Sequence, residues 1–398
     1  MDIYNHERIL EALLKRIKES NLSDSNKKYI LGFHRHCLSN GLSVSKTVRY
    51  LQDLKILAEW LCKDFNEATK GDIEELAAKL ETSKYAKWTK KGLKIILKKF
   101  YKWLRQVEEG YPLEVKWIKT AMKRNGEGLP EILTEAEVVA MINATKEERN
   151  KALISTLYES GCRIGELMNL RIKDITFNDN NGIDTATLVL SGKTGARRIL
   201  LISSVPYLQS WLNKHPDKNN QEAYLWIKTT KLPATYSRIK TIIKDIAKRA
   251  GIQKRVYPHL FRHSRASYLA NFLTEAQMKE FFGWTQSSQM CQVYIHMSGR
   301  DVDNAILKSY GIKTNNQEEQ EVMLKPQKCE RCQELNESTN QFCKRCGLVL
   351  KEETRNEMLK NEMDRQQADE VMNELVKDKE VLKFLIHKIK EKKLYNSL

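Results

Sequence analysis

The chain has 398 residues, 41% of them hydrophobic, enough apolar material for two or three domains with real cores. Lys and Arg number 68 against 51 Asp and Glu, and a formal net charge of +17 asks for an anionic partner, nucleic acid first. No apolar run is long enough to span a bilayer and no apolar secretory stretch follows Met1, so a membrane or secreted protein is set aside and a cytoplasmic one expected.

Residues 1–122 read as helical throughout. Ser83 is placed to cap a helix whose Tyr85, Trp88, Leu93, Ile96, Leu97, Phe100 and Leu104 recur at helical spacing. Residues 84–105 carry nine cations and no acid: Lys84, Lys87, Lys90, Lys91, Lys94 and Lys98, then Lys99, Lys102 and Arg105. An ordinary amphipathic helix mixes charges on its wet face. The absence of acids points instead to a helix that faces phosphates, with affinity that falls steeply as salt rises. Two glycines and a proline in Lys123–Pro130 mark an interdomain linker. Thr134 and Glu137 then form the spacing of a capping box, opening a second domain at 131–312. Within it, Asp184–Leu190 and Arg198–Ile202 read as the strands of a β-hairpin with Lys193 near its turn.

Four segments of this second domain carry chemistry together. Glu159–Leu167 sets Arg163 at a glycine-flanked helix start, with Glu166 one turn on. Pro258–His263 holds His259 and Arg262 as a His-x-x-Arg pair; Phe282–Trp284 precedes Tyr294; and Lys193 completes the set. Taken singly, each residue has an ordinary structural explanation. Taken together they are what transesterification at a phosphodiester requires. A tyrosine can form the covalent link, although its ordinary pKa of about 10 means it needs help to lose its proton. Two guanidinium groups offer forked donors that match phosphate geometry and supply charge stabilisation. Histidine suits proton transfer, and a mobile lysine can serve as general acid.

The order and context of these segments resemble the tyrosine recombinase (phage integrase) family, and the likeness extends over roughly residues 1–310. The resemblance implies that Arg163 and Arg262 are the two catalytic arginines, and that Glu166 supports the first. It implies that His259 belongs to the second box, that Lys193 protonates the leaving oxygen, and that Tyr294 is the nucleophile. Trp284 stands where most members have histidine; its indole N–H can donate but cannot shuttle a proton, so packing and orientation of the phosphate are expected of it. His263 and His296 are read as structural. The basic first domain is similar to the family's core-binding domain. The resemblance further implies a 3′-phosphotyrosyl intermediate, no ATP and no active-site metal, and four protomers on two DNA duplexes.

After a polar spacer, Cys329-x2-Cys332 and Cys343-x2-Cys346 resemble a zinc ribbon, 326–350, in which two CxxC turns give four soft ligands to a structural zinc. Lys328, Arg331, Lys344 and Arg345 leave DNA contact by this module open. A last helix, 352–396, carries Val371, Leu375, Leu382, Leu385 and Ile389 near heptad spacing, interrupted by Asp378, and suits packing on its own domain or on another protomer. The expected fold is mainly α: a helical DNA clamp, a mostly α catalytic domain with a small antiparallel sheet, the ribbon and the helix. The expected function is site-specific recombination, with integration or excision of a mobile element ahead of chromosome-dimer resolution. Topoisomerase-like relaxation and a non-catalytic zinc-ribbon DNA-binding protein are the competitors.

Overall fold

The computed structural model describes residues 3–121, 131–180, 183–192, 195–227, 233–295 and 323–391. The linker Lys123–Pro130, Lys193 itself, His296, the polar spacer and the final residues of the tail lie outside the described residues. The chain divides into two units, Met1–Gly128 and Leu129–Leu398.

The first unit is helical: α1 His6–Lys18, α2 Asp24–Ser39, α3 Val44–Leu61, α4 Lys70–Thr82, α5 Lys87–Leu104 and the short α6 Leu113–Lys116. Its core forms around Leu51, Leu54 and Leu57 of α3 and Leu93, Ile96 and Phe100 of α5, all fully buried. Each such side chain contributes about 1.5–3 kcal/mol by leaving water. Ser83 does not cap α5. It ends α4, its hydroxyl donating to the Leu80 carbonyl at 2.6 Å and so satisfying a group that the helix end would leave orphaned. Helix α5 therefore starts only at Lys87, with Ala86 at its N-cap. Tyr85 and Trp88 leave the expected apolar face: Tyr85 stacks on Trp60, and Trp88 is 62% exposed beneath the Lys91 ammonium.

In the second unit, α7 Glu135–Asn143 opens on the predicted capping box, with Thr134 and Glu137 bonded reciprocally. Helix α8 Glu148–Ser160 is the centre of this unit, buried along most of its length and packed against α7, α10, α12 and strand β3. A short α9 Ile164–Met168 leads into an antiparallel sheet of order β1 Ile175–Asn180, β2 Ile183–Gly192 and β3 Gly195–Leu201. The expected hairpin is β2–β3, with Gly192 opposite Gly195; β1, pairing Ile175 with Leu188, is an addition the sequence did not announce. Then follow α10 Val205–Lys214, α11 Tyr236–Arg249, α12 Pro258–Leu269, α13 Glu275–Phe282 and α14 Met290–Ile295.

The cysteine module holds a two-stranded sheet, β4 Gln327–Lys328 with β5 Leu335–Asn336. It docks on α10 and α8 through polar contacts: Tyr207 Oη lies 3.2 Å from Ser338 Oγ, and Lys151 Nζ 3.6 Å from Glu337 Oε2. The tail is two helices, α15 Glu352–Lys377 and α16 Lys379–Glu391, not one. Asp378 breaks it, its carboxylate accepting from the N–H groups of Glu380 and Val381 as an N-cap for α16. No described helix is long and apolar enough to cross a membrane.

Candidate active site

Four stretches remote in sequence converge at the end of α8. Gly161 closes that helix in the left-handed region at φ 53°, and a Cβ there would meet Phe282 at 2.6 Å, so only glycine fits. Its carbonyl accepts from Arg262 Nη1 at 3.0 Å, while Arg262 Nη2 reaches the Phe282 carbonyl at 2.6 Å. Arg262 is 3% exposed and its guanidinium lies over the rings of Phe282 and Trp284. Burial, then the nearby Arg163, pushes its pKa down to about 10, which still leaves it a cation at neutral pH. Arg163, at the N-cap of α9, donates to Glu166 Oε1 at 2.9 Å and to the Gly283 carbonyl at 3.2 Å. These contacts take two of the five N–H donors of each arginine, and the rest can serve a phosphate.

Glu166 is 6% exposed. Burial alone would raise its pKa, but hydrogen bonds from Arg197 and from the Arg163 backbone and side chain bring it down to about 2. Arg197, on β3, is the residue that sequence reasoning missed: it holds both Glu166 oxygens, and its Nε donates to the Phe281 carbonyl at 2.9 Å. A strand arginine four residues past a turn lysine gave no signal of its own. Gly192 belongs here for a steric reason, since a Cβ on it would sit 2.6 Å from Glu166 Oε1. Glu159 was quoted only as part of a motif, yet its buried carboxylate accepts from the backbone N–H groups of Ile202, Ser203 and Ser204, tying the end of β3 to α8.

Tyr294, on α14, is 1% exposed, and burial pushes its phenol up to about 12 against the opposing pull of Arg262. Trp284 stacks on it with ring centroids 5.8 Å apart and planes 5° from parallel. His263, read as structural, places Nδ1 2.5 Å from Tyr294 Oη. His259 opens α12 one turn earlier, exposed, its pKa lowered by partial desolvation and then by Arg262 and Arg163. So Arg163, Glu166, His259, Arg262, Trp284 and Tyr294 are joined in one contact network, while Lys193 lies outside the described residues.

In the first unit the acid-free helix is not acid-free in space. Glu81, just upstream, accepts from Lys94 and offers its carbonyl to Lys90 at 2.5 Å. Lys98 donates to the Ile118 carbonyl at 3.0 Å, and Lys84 is exposed ahead of the helix. In the cysteine module, the sulphurs of Cys329, Cys332, Cys343 and Cys346 lie within 4.8 Å of one another, with Sγ–Sγ separations of 3.5 and 3.6 Å. The sulphur–sulphur edge of a tetrahedral site with zinc-like bond lengths is about 3.8 Å, so the cluster can hold a metal. Asn336, fully buried, steadies it: its amide lies 3.7 Å from Cys343 Sγ and its oxygen accepts from the Lys344 N–H. Of the basic residues of this module, Lys328 pairs with Asp184, and Lys344 and Arg345 pair with Glu334.

A mainly helical unit that can cradle a phosphate between two clamped guanidinium groups, beside a phenol, defines a class of phosphodiester-transferring enzyme. Residues 131–300 match the model of the phage integrase family. The chain is similar to the tyrosine recombinase XerC of Oceanobacillus iheyensis, 25% identical over 281 residues, covering 66% of this chain and 90% of the relative. Its fold is that of a XerH site-specific recombinase in a post-cleavage complex with difH substrate (TM-score 0.54, 19% identity, 77% of this chain and 97% of that one). The same holds for a lambda integrase tetramer on a Holliday junction (TM-score 0.53, 14% identity, 66% and 78%). Residues 131–300 thus carry a phage integrase family domain, and the tyrosine recombinases that the chain resembles are DNA strand-transferring enzymes.

Proposed function

We propose that this recombinase integrates or excises a mobile DNA element, cleaving and rejoining each strand through a 3′-phosphotyrosyl link to Tyr294. What supports the reading is the meeting of Arg163, Arg262, Trp284 and Tyr294 at one place although up to 131 residues separate them in the chain. Arg163 and Arg262 bear the charge that grows on the non-bridging oxygens, each already oriented by backbone carbonyls. Glu166 fixes Arg163; His259 moves protons at the phosphate; Trp284 packs and orients; and Lys193 protonates the departing 5′ oxygen. The 5′-hydroxyl released, or one from a partner duplex, reverses the attack, so bond energy is kept in the phosphotyrosine and no ATP or active-site metal takes part. Four protomers act on two duplexes, with the basic face of Lys84, Lys87, Lys90, Lys91, Lys94 and Lys98 neutralising phosphates in the cytoplasm.

Zinc at Cys329, Cys332, Cys343 and Cys346 holds the ribbon folded, a segment too small for a core of its own. The ribbon and tail favour a mobile element over dimer resolution. The XerC relative is matched over 90% of its length by 66% of this chain, and a third of this chain has no counterpart there. Trapping covalent adducts in a host cell and sequencing the attached DNA tests this. Cut sites at both ends of one element, absent with Tyr294→Phe, are expected. A single chromosomal site unrelated to any element would replace this reading with dimer resolution.

A further inference from the structure

The shortest contact made by the Tyr294 phenol is to a histidine with no part in the roles assigned above. His263 follows Arg262 on α12, and its Nδ1 lies 2.5 Å from Tyr294 Oη, in direct hydrogen-bonding contact. The ring of His259, one turn earlier, meets His263 edge-on at 4.5 Å and 82°. With Trp284 against the phenol ring and His263 at its oxygen, Tyr294 is held on two sides. Among the described residues, the groups facing this pair are His259 and Arg262 on α12, Cys291 on α14, and Tyr257 just before α12. None of them is a carboxylate. Burial, then His259 and Arg262, brings the His263 pKa down to about 4, so the imidazole is neutral at physiological pH and has a ring nitrogen able to take a proton.

We propose that His263 is a catalytic residue whose Nδ1 accepts the Tyr294 proton as the phenol oxygen attacks the scissile phosphate. The step balances. The Oη–H bond breaks and its proton goes to Nδ1; the Oη–P bond forms as the P–O5′ bond breaks, and the leaving oxygen takes its proton from a separate acid. In rejoining, the imidazolium returns its proton to the departing phenol oxygen. Bound DNA makes the transfer easier, because a phosphate anion set against Arg262 offsets the charge repulsion that adds to burial in keeping His263 neutral in the free enzyme. A suitable proton acceptor is identified by geometry before pKa, and His263 meets the geometric condition directly.

This inference rests on Tyr294 being the nucleophile. The test uses the full chain and a nicked duplex selected from a randomised pool by covalent capture on the wild-type protein. Wild-type adduct formation that Tyr294→Phe abolishes establishes the nucleophile; no wild-type adduct, or one that survives Tyr294→Phe, sinks that assignment rather than the role of His263. Given the adduct, His263→Ala is expected to cleave about 10²–10⁴-fold more slowly, the range of a lost general base. Duplex affinity is expected to hold, and the mutant rate to climb with pH more steeply than wild type. Fluorotyrosine in place of Tyr294, with its more acidic phenol, is expected to restore much of the loss. A 5′-bridging phosphorothiolate, whose sulphur leaves without a proton, is expected not to. Should His263→Ala fail to fold, His263→Gln carries the test, since it can bond to Oη but cannot take its proton. Wild-type rates in a folded variant, a pH-independent loss untouched by fluorotyrosine, or rescue by the phosphorothiolate would each overturn the proposal.

Discussion

Arg197 grips both carboxylate oxygens of Glu166, at 3.0 and 2.7 Å, with each side chain less than a tenth exposed. Because Glu166 also holds Arg163, the strand that follows Lys193 is fastened through one carboxylate to an arginine of the site. Removing one partner of a buried pair leaves the other charge unmatched, at a cost of about 3–5 kcal/mol. Arg197→Met is therefore expected to lower stability by that order and to lose cleavage beyond the stability loss, while Arg197→Lys, lacking the forked donor, recovers only part. Denaturant titration beside covalent adduct formation checks both. A stable Arg197→Met protein that cleaved normally would remove Arg197 from the site.

The same carboxylate sets an acid limit. Glu166 is depressed from its ordinary 4.5 to about 2, so folding keeps it ionised at pH values where the unfolded chain would take up a proton. Its contribution is complete above the ordinary carboxylate range and is lost as pH falls from there towards about 2; a shift of that size corresponds to about 3 kcal/mol. Glu166→Gln is expected to be less stable at neutral pH and to lose less on acidification. Parallel acid profiles of wild type and variant, followed by denaturant midpoints, would contradict this.

Much of the fold was legible because periodicity and caps are local. The Thr134–Glu137 box opened α7 as expected, and the Thr/Val/Leu run of β2 with its glycine-bearing turn marked the hairpin. What stayed hidden depends on the third dimension. Ser83 has the residue type of an N-cap but terminates the previous helix, since only the placement of the Leu80 carbonyl decides which helix it serves. The acid-free stretch of α5 could not reveal Glu81, which reaches Lys94 from the neighbouring helix. Arg262 and Tyr294 were singled out by the company they keep in sequence. Arg197 and His263 were not, because an arginine on a strand and a second histidine beside an arginine are ordinary until their partners, Glu166 and Tyr294, are placed.

The cysteine module is docked on the second unit, so a metal held by its four sulphurs would bear on the stability of that unit. Tyr207, fully buried on α10, shares hydroxyl contacts with Ser338 and Thr339, and Lys151 on α8 faces Glu337. Purified protein is expected to carry about one zinc per chain. Chelation should unfold the ribbon, uncover Tyr207 and lower the melting temperature, by about 2–4 °C for each kcal/mol lost in a unit of this size. Tyr207→Phe should show a smaller decrease while keeping its zinc. Protein prepared without chelator that holds no zinc, or a melting curve indifferent to chelation, would contradict the structural role.

The basic helix of the first unit gives the last expectation, and its internal contacts sharpen it. Each lysine that neutralises a phosphate adds close to one to the slope of log affinity against log salt, whatever the DNA sequence. Among the described residues Lys91 is engaged only with the Trp88 ring, which leaves its charge available; Lys94 is shared with Glu81, and Lys98 with the Ile118 carbonyl. Reversing Lys91 should therefore take more from the slope than reversing Lys94, whose charge is already partly countered. Reversing Lys98 should also cost stability, because it removes a donor from the chain after α6. The triple Lys91→Glu, Lys94→Glu, Lys98→Glu protein is expected to bind every duplex more weakly and to lose up to about three from the slope. Binding titrations over a salt series, beside a melting curve, separate the two effects. An unchanged slope in a folded triple variant would return α5 to the status of a solvated surface helix.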